Sequence, residues 1–98
     1  MKANHSVRSA EINYKLFGVL MDELIQYVKK SSYRVRVIQA IGHDVKFPFE
    51  IAQDSNILNN HVSKTLRQLC EHNLVELINP EMSRGRLYRL TNDGKNSK

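Results

Sequence analysis

Residues 48–73, PFEIAQDSNILNNHVSKTLRQLCEHN, read as two helices joined by a tight turn. Pro48 suits a first helical position, because its ring presets φ and it has no N–H to leave unpaired. Glu50 falls in the first turn, where the helix dipole favours negative charge. This helix is expected to run from Pro48 to Asp54 and to bury Ile51 and Ala52. Ala52 is small enough for a close helix crossing, and Ile57 can plug the turn. Asn56 stands where the turn asks for positive φ, which asparagine tolerates best after glycine. The second helix is expected over about Asn60 to His72, with Val62, Leu66 and Leu69 at i, i+4 and i+7. Asn59 is its expected N-cap, and Asn73 can close it in the left-handed conformation.

Past Asn73 the period changes from helical to alternating. Leu74-Val75-Glu76-Leu77-Ile78 reads as a strand, Asn79-Pro80 turns the chain, and residues 81–85 make a short polar loop. Arg86-Leu87-Tyr88-Arg89-Leu90 alternates polar and apolar, as a strand with one buried face does. The two strands form a hairpin with a basic tip, and Thr91 to Gly94 turns out of it. Upstream, Ser31 and Ser32 can cap a helix that carries Tyr33, Val35, Ile38 and Ile41 and stops at Gly42. Residues 43–47 read as a polar loop. The expected class is mainly α with a small β-hairpin.

The apolar stripe on the 60–72 helix leaves the opposite arc free for solvent or a ligand. That arc holds Asn60, His61, Ser63, Lys64, Arg67 and Gln68, with Asn59 at its start. Amides, a hydroxyl and cations are what reading the DNA major groove requires: Asn and Gln pair with adenine, Arg and Lys with guanine or phosphate, Ser with either. Because such helices use their N-terminal residues on base edges, Asn59, Asn60, Ser63 and Lys64 are the base-reading candidates and Arg67 the phosphate contact.

Four pieces carry a resemblance to a known group. They are Glu50-Ile51-Ala52, His61 through Leu69, Asn73-Leu74-Val75-Glu76, and Gly85 through Thr91 with Gly94-Lys95. In this order and spacing, residues 31–95 resemble archaeal winged helix-turn-helix transcriptional regulators of the MarR/ArsR type. The resemblance implies a homodimer in which each recognition helix enters a major groove. It also implies a wing, about residues 79–86, that touches backbone or minor groove through Arg84 and Arg86. Three departures stand out: Phe47 where such proteins often carry a Ser or Thr cap, Asn56 and Asn73 in place of glycines, and no long helix after the wing.

Residues 1–9 are polar and aperiodic and read as a disordered tail, and residues 96–98 read as a short polar tail. Between residues 10 and 30 lies a helical pattern whose apolar positions include Ile12, Leu16, Phe17, Leu20, Met21, Leu24, Ile25 and Val28. On a helix they sweep an arc far wider than the ~100° that one small domain covers. The surplus face is expected to dimerise with a second copy of the chain. The plainer alternative is that Gly18 divides the segment into two short helices on one core.

Composition sets the outer bounds. The 98 residues hold 41% hydrophobic and 26% charged side chains, close to globular averages. No apolar run approaches the ~20 residues a bilayer needs, so no membrane partner is expected. A single cysteine and no export signal point to the reducing cytoplasm. Fifteen Lys and Arg against ten Asp and Glu give a net charge of +5, which suits a polyanionic partner. Cys70 beside the apolar stripe reads as a small buried hydrophobe. His43, His61, Cys70 and His72 match no metal-ligand spacing, so no metal or cofactor is expected. With no glycine-rich phosphate loop and no triad setting, neither is an enzyme. The competing class is a winged-helix protein-interaction module of a transcription or replication assembly, because fold alone does not decide function.

Overall fold

The computed structural model describes residues 20–97. Within them residues 20–29 are helical (α1), followed by α2 (Ser32–Ile41), α3 (Pro48–Ser55), α4 (Asn59–Glu71), β1 (Val75–Leu77), β2 (Tyr88–Leu90) and α5 (Asn92–Asn96). The strands pair antiparallel with Val75 opposite Leu90, Glu76 opposite Arg89 and Leu77 opposite Tyr88. One core unites the elements: Val28 of α1, Val37, Ile38 and Ile41 of α2, Ile51 of α3, Val62, Leu66 and Leu69 of α4, and Leu74, Val75 and Leu90 of the hairpin.

Local chemistry sets most of the boundaries. The Ser31 hydroxyl accepts from the Arg34 N–H at the start of α2, and Gly42 closes that helix at φ 58°. Phe47 offers no acceptor at the start of α3, but the Glu50 carboxylate reaches back to the Phe47 N–H at 2.9 Å. That is one half of a capping box; the other donor it would serve, the Glu50 N–H, is met by the Phe47 carbonyl at 3.1 Å. Asn56 and Asn73 adopt the expected positive φ, 58° and 57°. Arg36 donates to the carbonyls of Ser55 and Asn56, satisfying the end of α3 from a neighbouring helix.

Five expectations need correction. Asn59 is the first residue of α4, and Leu58 is the N-cap, with no side-chain cap bond. The 43–47 segment is not simply a loop. Lys46 exchanges both backbone hydrogen bonds with Tyr88, 3.0 and 2.9 Å, and adds an outer rung to the hairpin. The Thr91–Gly94 turn is instead the start of α5. Thr91 caps it by accepting from the Gly94 N–H and donates to the Asn73 carbonyl. Residues 96 and 97 are not a free tail, because Ser97 is 2% exposed and its hydroxyl donates to the Gly94 carbonyl. Tyr33, counted with Val35, Ile38 and Ile41 on the apolar pattern of α2, is exposed against His61 of α4.

Candidate nucleic-acid interface

The stripe Val62, Thr65, Leu66 and Leu69 turns inward, with the Thr65 hydroxyl donating to the His61 carbonyl at 2.7 Å. The opposite face then follows from helical geometry. Asn59, Asn60, Ser63, Lys64 and Arg67 are exposed, and none of their side chains hydrogen-bonds to another described residue. Two expected members sit at the edge. Gln68 is half-buried and accepts from the Arg34 guanidinium at 3.3 Å, and His61 is half-buried with its ring centroid 5.2 Å from that of Tyr33. Both are turned toward α2, away from the open face.

The flank of α4 away from Tyr33 opens into a groove of about 700 Å³. Ser63, Arg67 and Cys70 of α4 line one wall, and Glu76, Tyr88, Ser83 and Arg86 the other. The hairpin thus brings Arg86 into one concavity with Arg67. Asn79 shapes the wing: its side-chain oxygen accepts from the Leu87 N–H at 2.8 Å and its amide donates to the Gly85 carbonyl at 2.9 Å. Arg86 is tethered by its Nε to the Met82 carbonyl, while Arg84 projects from the loop.

Electrostatics favours an anion here. Among the described residues the ion pairs are Lys46–Asp54 and Arg89–Glu76, so Lys64, Arg67, Arg84 and Arg86 have no acidic partner. The Arg89–Glu76 pair is the cross-strand contact that its register dictates. Cys70 also lines the groove. Burial first, and the neighbouring Glu71 second, push its thiol above the ordinary range, opposite to what a reactive thiolate needs. The histidines of the rejected metal set are dispersed, with His72 stacked on Tyr27 and His61 beside Tyr33. No cluster of three metal-ligating side chains occurs among the described residues.

The expected dimerisation face is partly within the described residues. Leu20 is 57% exposed and, with Met21, Leu24 and Tyr27, lines an open apolar groove of about 550 Å³ that His72 and Asp93 complete. Ile25 is half-buried. Val28 is 2% exposed and packs in the domain's own core, so it has no surface to offer a partner. Ile12, Leu16 and Phe17 lie outside the described residues. No helix among the described residues is long and apolar enough to cross a membrane.

Sequence reasoning missed Ser83 as a groove residue and Leu58 as the exposed leading residue of α4. A serine in a loop and a leucine before a helix carry no local signal of their surroundings. The Lys46–Tyr88 rung was equally hidden, because it joins segments distant in the chain.

No family model and no curated protein matches the sequence. Among solved structures, a MarR family transcriptional regulator from Silicibacter pomeroyi DSS is similar to this chain at a TM-score of 0.58 and 19% identity. The alignment covers 88% of this chain and 59% of that one, so the chain spans well under two thirds of that neighbour's length. This likeness bears on the MarR side of the expected resemblance, at the level of fold, and lends nothing to an archaeal origin. The fold it shares with this chain is a mainly helical winged helix-turn-helix with a two-stranded antiparallel hairpin.

Proposed function

We propose that this chain is a sequence-specific, double-stranded-DNA-binding transcriptional regulator of the cytoplasm that acts as a homodimer. The observation that carries this reading is the open amide, hydroxyl and cation face of α4, which shares one groove with Arg86 of the wing. A helix is about 10–12 Å across, a fit for the ~12 Å major groove. In this reading Asn59, Asn60, Ser63 and Lys64 meet base edges, and Arg67 meets a phosphate. Arg84 and Arg86 hold the flanking backbone or minor groove, with His61 and Gln68 at the margin. Two copies joined through α1 engage half-sites about one helical turn, ~34 Å, apart. Occluding a promoter is the simplest regulatory consequence.

The test is fluorescence anisotropy with random duplex DNA, titrated at several salt concentrations. Log affinity should fall linearly with log salt, at about 0.9 per phosphate contact. Arg67→Ala or Arg84→Ala should weaken binding to every duplex and flatten that slope by about one contact. Asn60→Ala or Ser63→Ala should instead erode discrimination between sequences. Four unaffected variants would sink the assignment of α4. No binding even near ~50 mM salt, where non-specific attraction should survive, would turn the reading to the protein-interaction module.

A further inference from the structure

Leu58 occupies the N-cap of α4 and is 70% exposed. Single exposed leucines are ordinary on protein surfaces. This one, however, gives up two stabilising options at once. An N-cap favours Ser, Thr, Asp or Asn, whose oxygen accepts a first-turn N–H, and leucine is among the poorest choices. The Leu58 backbone already has cap geometry, φ −63° and ψ 148°, yet no side-chain bond is made. It is also the most exposed large apolar side chain among the described residues, gaining little burial in exchange.

Its neighbours indicate what such a side chain meets. Asn59 and Asn60 follow it, both exposed, at the end of the helix where the first N–H groups are unpaired and the dipole is positive. An apolar group set among donors at the positive end of a helix dipole suits a polyanion with one apolar spot better than a protein hydrophobic patch. The major-groove floor has such a spot, the 5-methyl group of thymine, and asparagine pairs bidentately with adenine in the same groove.

We infer that Leu58 reads DNA directly, packing on a thymine methyl group beside an adenine held by Asn59 or Asn60. The half-site therefore carries A·T pairs where the N-terminus of α4 meets it. This inference rests on α4 being the recognition helix. Leu58 is the base-reading residue that cap rules alone would have excluded.

The experiment starts from duplexes that the full chain selects out of a random pool about two helical turns, ~20 base pairs, long. Each thymine is then replaced in turn by deoxyuridine, which keeps the pairing and removes only the methyl group. One substitution per half-site should weaken wild-type binding about threefold to fivefold, the worth of one buried methyl group. Leu58→Ala should bind thymine and deoxyuridine duplexes alike and keep the wild-type salt slope. Leu58→Ser should lose the same discrimination while its melting temperature rises, because the cap bond can then form. If wild-type binding ignores every deoxyuridine while Arg67→Ala still weakens it, the inference falls and the recognition helix stands. Discrimination that persists in Leu58→Ala overturns it equally. If the pool yields no enriched duplex and no binding, the reading of α4 fails first and takes this one with it.

Discussion

One hydrogen atom in place of a methyl group lets α5 dock. A β-carbon built on Gly94 would lie 2.0 Å from the Leu74 carbonyl oxygen and 3.3 Å from the Leu90 β-carbon. The first of these is a backbone atom and cannot swing aside. Gly94→Ala must therefore push α5 off the hairpin or distort the chain at Leu74, within the core. Overpacking of this kind costs about 1–3 kcal/mol, a large share of the ~5–15 kcal/mol that holds a typical domain together. Urea denaturation should show a lower midpoint for Gly94→Ala with little change in slope. An unchanged midpoint would mean that α5 does not pack as described. The glycine's role is steric and not conformational, which separates it from Asn56 and Asn73. Those two residues hold left-handed backbone at the ends of α3 and α4 and could be found by local rules.

At the scale of elements, the wing depends on one amide. Asn79 bridges the two sides of the loop, accepting from Leu87 and donating to Gly85, so the positions of Arg84 and Arg86 follow from it. Asn79→Ala removes both bonds in a partly exposed place, where each contributes about 1 kcal/mol. The Leu87 amide should exchange with solvent faster while core amides such as that of Leu66 keep their protection. Duplex affinity should drop several-fold with the core intact. Equal loss of protection in wing and core would show that the loop is not a separable unit. The same elements mark how far sequence reading reaches. Ser31, Gly42, Pro48 and Asn73 state their roles within a few residues, and α2, α3 and α4 were legible to within a residue or two at each end. Leu58 defeated the capping rule because Asn59 is a better cap, and the chain nevertheless starts the helix at the asparagine. The short α5 was illegible for another reason: Asn92, Asp93 and Gly94 are poor helix formers, and docking on Leu74 overrides propensity. The open face of α4 was legible because it is the complement of an apolar stripe. His61 and Gln68 lie at its margin, which local pattern does not show, because their partners, Tyr33 and Arg34, come from a helix some thirty residues earlier.

For the whole molecule, the arrangement that matters is how α1 joins the half that carries the open face of α4. The Arg34 guanidinium lies 3.8 Å from the centroid of the Tyr27 ring and the His72 ring 3.6 Å from it. Two planar groups cannot share one face at those distances, so Tyr27 is sandwiched between α2 and the C-terminal cap of α4. Arg34 also donates to the Tyr27 carbonyl at 2.8 Å and to Gln68, which ties α1 to α4 through one guanidinium. If α1 is the dimer contact, this junction fixes the angle at which two copies present their α4 helices, and half-site spacing inherits its rigidity. Leu20 tests the contact with little risk to the fold, since it is exposed at 57% while Val28 anchors α1 in the core. The wild-type chain should sediment as a dimer at micromolar concentration and Leu20→Asp as a monomer with unchanged helical circular dichroism. Affinity for a duplex bearing two half-sites should then fall toward that for one, a loss of about a hundredfold or more, because linked sites gain by effective concentration. A wild-type monomer would remove the homodimer from the proposal and leave the Leu20, Met21 and Leu24 groove to a different chain. A dimer that survives Leu20→Asp would place the contact elsewhere on the surface, and the Tyr27 junction would then hold the domain together without setting the spacing of its recognition helices.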